Sequence, residues 1–115
     1  MPLDYGMCCQ TVTVYRRTPQ EILQFVLPGC FLQWQQEQSF ERLGQQQERK
    51  FLLIQPGKEQ LVFPGDRVFE GIGPQIAPEQ WAAFVPERVA GLGQVAYAVP
   101  YHWQGAFCHT EAGRK

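Results

Sequence analysis

The residues with the most versatile chemistry lie near the end of the chain, in the stretch CHTE at 108–111. One residue separates His109 from Glu111, so a β-strand would place both on one face, where they can form a hydrogen-bonded pair. Zinc nucleobase deaminases also use His-x-Glu, but with a downstream P-C-x-x-C and a helical setting. Both are missing here. The pattern therefore favours a polar pair at a strand edge, or an interface contact, over acid–base catalysis.

Metal-ligating residue types are present, but their spacing is unfavourable. Zinc sites normally take ligands from close pairs such as C-x-x-C, because one turn then delivers two sulfurs. Adjacent ligands such as Cys108 and His109 would point to opposite faces of a strand. We expect reduced thiols that behave as small hydrophobic groups, and no cofactor. A small metal- or ligand-binding β-barrel remains the alternative function, using either Cys8, Cys30, Cys108 and His109 or the barrel interior.

Other catalytic patterns are incomplete. Gly71-Ile72-Gly73 is followed by Pro74, with no helix to face a phosphate, so the stretch does not form a dinucleotide loop. The one serine, Ser39, lies in a glutamine-rich segment with no G-x-S-x-G around it. We therefore predict a protein that is not an enzyme and has no catalytic residue.

Aromatic residues provide the strongest indication of binding. The segment YHWQG at 101–105 places two aromatic residues and a histidine between Pro100 and Gly105, inside a predicted turn. Aromatic side chains in exposed turns are typical interface anchors. The alternative is that Trp103 folds back onto the core, and the sequence leaves both open. The candidate interface residues are Trp34, Tyr101, His102, Trp103, His109 and Glu111.

The elements that must position these residues are mostly strands. Short runs of apolar or alternating residues end at Pro-Gly or Gly turn residues, and this pattern is typical of a sandwich or small barrel. We predict a mainly β fold, a small barrel or sandwich of about six or seven short antiparallel strands with one short helix near 78–85. Pro28-Gly29 is read as a hairpin turn, and Pro100 as the end of a strand. The strand candidates are 11–15, 22–27, 30–34, 50–55, 61–63, 67–70, 94–99 and 105–111.

The stretch PGDRVFEGIGP at 64–74 reads as a turn, a short strand and a second turn. Pro64-Gly65 suits the centre of a type II turn, whose second residue needs a positive φ. Val68 should point to one face of the strand, and Arg67 and Phe69 to the other. In the predicted helix, Trp81 and Phe84 should pack against the sheet, because so short a helix is marginal alone.

Length and charge limit the remaining function classes. The 115 residues suggest a single β-rich domain spanning 1–115, with a polar glutamine-rich loop or hairpin extension around 35–49. The net charge is −1 and there is no basic stripe, so direct nucleic-acid binding is not expected, although Trp34 and Trp103 could serve as base-stacking platforms. No apolar run is long enough for a membrane helix, and the N-terminus lacks a secretory pattern, which predicts a soluble intracellular protein.

Several motifs, taken in order, resemble a known group of proteins. The chain is similar to the minor capsid or head–tail connector-type proteins of tailed phages and prophages, and the resemblance spans nearly its whole length. The glutamine-rich insertion and the four cysteines match no shared pattern. The motifs are QTVTVYRR, LPGCFLQW, FLLIQPG, PGDRVFEGIGP, W-x-x-F-x-P from Trp81 to Pro86, and W-x-G-x-x-x-H-x-E-A-G from Trp103 to Gly113.

This resemblance implies a β-barrel-like adaptor in or near the ring between the capsid portal and the tail. It implies no catalytic residues, and a homo-oligomeric ring with heterologous subunit contacts. The expected partners are other morphogenesis proteins, namely portal, adaptor or tail components. The expected location is the host cytoplasm during assembly and then the virion. The 35–49 loop and the open strand edges are the parts expected to make these contacts.

Overall fold

The computed structural model describes residues 6–35 and 50–114. Most of the predicted glutamine-rich loop at 35–49 therefore lies outside the described residues. The described chain contains seven strands and one short 3-10 helix. These are β1 Gln10–Arg17, β2 Ile22–Trp34, β3 Phe51–Pro56, β4 Arg67–Glu70, the 3-10 helix Pro78–Ala83, β5 Leu92–Gln94, β6 Tyr97–Trp103 and β7 Ala106–Arg114.

The strands form one antiparallel sheet in the order β5-β4-β1-β2-β3-β7-β6, curled into a half-barrel. The mainly β prediction is confirmed, as are the strand number and the helix near 78–85. That helix is a 3-10 helix and ends at Ala83. The sheet has two halves that share β2: an N-terminal half, β5-β4-β1-β2, and a C-terminal half, β2-β3-β7-β6.

The predicted hairpin at Pro28-Gly29 is wrong, because β2 continues through both residues. The register against β1 changes from Val12↔Leu27 to Gln10↔Cys30, so β2 carries one extra residue, a β-bulge. Gly29 takes up the local distortion with a φ of +74°. The bulge bends β2, so that its first part pairs with β1 and its last part with β3.

The concave side of the sheet holds the main core. Val12 and Val14 of β1 are fully buried there together with Leu53 of β3. The period-two reading of β1 is thus confirmed for this face. Ala112 of β7 joins the same cluster, which anchors the last strand to the centre of the molecule.

The other side of the N-terminal half is also covered, by the segment that joins β4 to β5. Tyr15 of β1 forms a second buried cluster with Phe84 and Leu92, and Trp81 packs against it. Thr13 Oγ1 donates a 2.8 Å hydrogen bond to the carbonyl of Gly71, which fixes the start of this covering segment. The predicted packing of the short helix against the sheet is confirmed.

The turn before β4 also agrees with its predicted geometry. Gly65 has a φ of +95°, and the amide of Asp66 donates to the Phe63 carbonyl over 3.1 Å. The Asp66 carboxylate receives two bonds from Arg16, at 2.8 and 2.7 Å. The predicted strand at 61–63 is wrong, since this segment is irregular although Val62 is buried.

The predicted strand at 94–99 is two strands rather than one. β5 ends at Gln94, and the chain crosses to the other half of the sheet through Val95 and Ala96. The amide of Val95 donates to the Asp66 carbonyl over 2.9 Å, and that of Ala96 to the Gly113 carbonyl over 2.7 Å. Pro100 lies within β6 and does not end it, contrary to expectation.

Candidate protein-interaction site

The last two strands form a hairpin that extends beyond its neighbour. β3 pairs with β7 from residue 109 to residue 114, so, among the strands that the structure describes, the hairpin end at 102–107 is paired only with itself. Gln104 and Gly105 form a two-residue turn with φ values of 52° and 82°, as type I′ requires. Cys108 is an extra residue between the pairs Tyr101↔His109 and His102↔Phe107, so a bulge lies at the base of this end.

Three large apolar side chains of β6 face solvent. Val99 is 41% exposed, Tyr101 42% and Trp103 45%. The alternative in which Trp103 folds back onto the core is therefore wrong. Because these residues alternate along one strand, they lie on the same face of the hairpin.

The opposite face of the hairpin end is aromatic too. The rings of His102 and Phe107 meet edge to face, with centroids 5.7 Å apart. The hairpin end therefore presents aromatic groups on both sides. A tight type I′ turn and cross-strand aromatic contacts hold this arrangement together.

His109 and Glu111 share a face of β7, as predicted, and Tyr101 lies over the histidine. The Tyr101 and His109 rings stack with centroids 5.0 Å apart and 12° between their planes. His109 is 3% exposed, and this burial lowers its pKa, against an opposing effect of Glu111. The imidazole is therefore neutral at pH 7, where it supports the Tyr101 ring.

Trp34 lies apart from the other candidate residues. It packs at the end of β2 against Phe51, with ring centroids 5.5 Å apart, and its Nε1 donates a 2.8 Å hydrogen bond to Glu70 Oε1. The partner of Phe51 on β7 is Arg114, eight residues from Ala106 at the hairpin turn. At about 3.3 Å per residue this separates Trp34 from the turn by roughly 25 Å along the strand. A pocket of about 540 Å³ beside Trp34 is lined by Gln33, Gln35, Phe51 and Leu52.

The structure adds three residues that the sequence analysis missed. Phe31, Leu52 and Ile54 lie on the convex side of the C-terminal half, in register with Glu111 and the exposed face of β6. None belongs to either core cluster. The run FLLIQ at 51–55 gives no sign of which residues lie on this side, because four apolar residues follow one another, and the structure shows that Phe51, Leu53 and Gln55 are the buried ones. We define the convex face as Phe31, Gln33, Leu52, Ile54, Tyr97, Val99, Tyr101, Trp103, His109 and Glu111.

The cysteines do not form a metal centre with other ligands in the described parts of the chain. There, no three His, Cys, Asp or Glu side chains lie close enough to hold one ion. Cys9, Cys30 and Cys108 are free thiols. Burial raises the pKa of Cys30 to about 11, with a smaller effect of Cys8, so this thiol is protonated at neutral pH.

Comparisons with known proteins identify no relative. No family model, no curated protein and no solved structure matches this chain. Within residues 6–35 and 50–114, no helix has the length and apolar character needed to cross a membrane.

Proposed function

We propose that this protein is a non-enzymatic structural component of a tailed phage or prophage particle, a minor capsid or head–tail joining adaptor. The observation that carries the proposal is the hairpin end, where Tyr101 and Trp103 remain exposed on a strand that has no neighbour on its other side within residues 6–35 and 50–114. Aromatic residues held in this way are the side chains that most often contribute binding energy at protein interfaces. The assignment to a phage particle is supported by the ordered sequence motifs, which resemble those of phage connector-type proteins.

The geometry of the hairpin favours protein–protein contact over other uses. Its turn and its cross-strand ring contacts are formed in the free chain, so binding would lose little conformational entropy. The β6 residues near the turn include no lysine or arginine that could follow a phosphate backbone. Portal, adaptor or tail components are the partners we propose, in a particle where the chain forms a homo-oligomeric ring.

The test is quantitative mass spectrometry on particles purified after induction of the source strain. We expect a few to a few dozen copies of this chain per particle, and the copy number would narrow its position. Absence from intact particles, despite expression in the cell, would refute the proposal.

A matched pair of variants connects the test to the hairpin. Trp103→Ala should reduce incorporation into particles when it replaces the wild-type protein. Ile72→Ala removes an even more exposed apolar side chain outside the hairpin and should be incorporated normally. Equal incorporation of both variants would show that the hairpin is not the contact.

A further inference from the structure

We propose that the convex face binds a segment of another protein that places an arginine or lysine among apolar side chains. The inference deepens the proposed function, since it gives the chemistry of the partner at the same site. It depends on the composition of the face, on the position of its one carboxylate and on the nature of the neighbouring strand edge.

The convex face is apolar over most of its extent. Phe31, Leu52 and Ile54 continue the exposed row of β6 across three strands. The corresponding side of the N-terminal half is covered by the segment that carries Trp81 and Phe84. Among the described residues, the apolar side chains of the convex face belong to no comparable cluster.

Glu111 lies within this apolar surface and is its sole formal charge. Its register partners are Ile54 on β3 and Val99 on β6. Within residues 6–35 and 50–114, the one ion pair joins Arg16 to Asp66, and no hydrogen bond shown there involves the Glu111 side chain. His109 offers no compensating charge, because burial lowers the pKa of this imidazole.

Covering Glu111 with a purely apolar partner would remove water from an uncompensated carboxylate, which is costly. A partner that places a cationic side chain beside Glu111 would offset this cost, because the two groups would form a charge-assisted hydrogen bond. An isologous second copy would instead bring two Glu111 carboxylates close together, and like charges at an interface are unfavourable. The face therefore selects a heterologous partner with a basic residue.

Binding must use side chains on the face, because the open edge of β6 is unsuited to strand addition. Val99 and Tyr101 pair with Glu111 and His109, which leaves Pro100 between them. Proline has no N–H, and within sheets it lies on edge strands with its nitrogen toward the open side. An added strand would lack a hydrogen bond at the centre of β6.

The test uses short synthetic peptides of one sequence, with valine, tryptophan and leucine around a central Arg, Gln or Glu. Binding is measured by NMR titration of the full-length protein. We expect the Arg peptide to bind about tenfold more tightly than the Glu peptide, with shifts at Val99, Tyr101 and Glu111. Glu111→Lys should reverse this order, while the control Glu79→Lys, at an exposed site on the 3-10 helix, should keep it.

Two results would overturn the inference. One is equal binding of the three peptides, or an order that Glu111→Lys leaves unchanged. The other is a concentration-dependent dimer in sedimentation that Tyr101→Ser abolishes, since a second copy would then occupy the face. The peptide experiment needs no phage particle, so it tests the docking chemistry separately from the phage role. Selection of the Arg peptide without incorporation into particles would refute the phage role alone. Incorporation into particles without selection among the peptides would refute the docking chemistry alone.

Discussion

The guanidinium of Arg67 lies over the ring of Trp81, 3.7 Å from the ring centroid. It also donates hydrogen bonds to two backbone carbonyls of the segment that carries Trp81. Its Nη1 donates to the carbonyls of Trp81 and Phe84, each over 2.6 Å. Arg67 is buried, and this burial lowers its pKa. A strand residue thus attaches the covering segment to the sheet through a cation–π contact and two carbonyls.

Replacing Arg67 with methionine should destabilise the fold by about 2–4 kcal/mol, because a buried carbonyl and a partly buried one lose their donor while the apolar stem is kept. Urea unfolding measures this change. Arg88→Met is the control at an exposed position and should alter the free energy of unfolding by less than about 0.5 kcal/mol. Equal effects would show that the Arg67 contacts do not secure the segment.

Tyr15 should make stability depend on alkaline pH. Its hydroxyl donates a 2.6 Å hydrogen bond to the Pro74 carbonyl, and burial raises its pKa to about 12 from 10.0. Between these values the folded protein keeps a proton that the unfolded chain releases, so stability is complete below about pH 10 and falls toward pH 12.

The test compares Tyr15→Phe with wild type by unfolding at neutral and alkaline pH. The variant should lose about 1 kcal/mol at pH 7 with the hydrogen bond, and should show a smaller alkaline decline. Cys30 and Tyr97, whose pKa values burial also raises, contribute to the decline in both proteins. An unchanged decline in Tyr15→Phe would contradict the assignment.

The sequence revealed the elements whose ends are set by local chemistry. β4 begins and ends as predicted, because Pro64-Gly65 turns the chain before it and Gly71 turns it afterwards. Pro28-Gly29 carries the same turn chemistry but lies in a bulge, since both flanking segments find partners on different strands. Local propensity cannot distinguish these cases, because the choice depends on pairings distant in sequence.

The sequence also did not reveal that β1 is buried on both of its faces. Thr13 and Tyr15 look like the solvent side of an alternating strand, yet both are buried by residues 71–91. The candidate site was easier to predict at Tyr101, His102 and Trp103, because aromatic residues beside a glycine turn are recognisable locally. The convex face was missed, since it depends on the register between β3 and β7.

Gly113 should tolerate no side chain. A Cβ there would collide with the carbonyl oxygen of Phe51 and lie 3.3 Å from the Cα of Leu52, both backbone atoms of the neighbouring strand. Gly113→Ala should therefore separate β3 from β7 and lower stability by more than about 2 kcal/mol. Gly105→Ala, with open space around its Cβ, should cost only about 1 kcal/mol for its positive φ. Thermal unfolding compares the two, and equal losses would argue against the close strand approach.

The exposed aromatic residues should contribute little to folding. Trp103→Ala should change the free energy of unfolding by less than about 1 kcal/mol. Phe51→Ala, in the main core, should cost about 3–5 kcal/mol. Urea unfolding of the two variants measures both changes in the free energy of unfolding. A loss at Trp103 as large as that at Phe51 would assign this tryptophan to the fold and remove the main support for an interface role.

Pro100 should protect the open edge of β6 from pairing with other chains. Pro100→Thr restores a backbone donor at the centre of the strand, so the edge would offer an uninterrupted row of N–H and C=O groups. We expect this variant to self-associate at concentrations where the wild type does not, as measured by sedimentation velocity. Pro74→Thr is the control, because Pro74 is an exposed proline outside the strands. If Pro100→Thr sediments like the wild type, a feature other than Pro100 protects the edge. The missing N–H of Pro100 would then no longer support binding through the convex face over binding by strand addition.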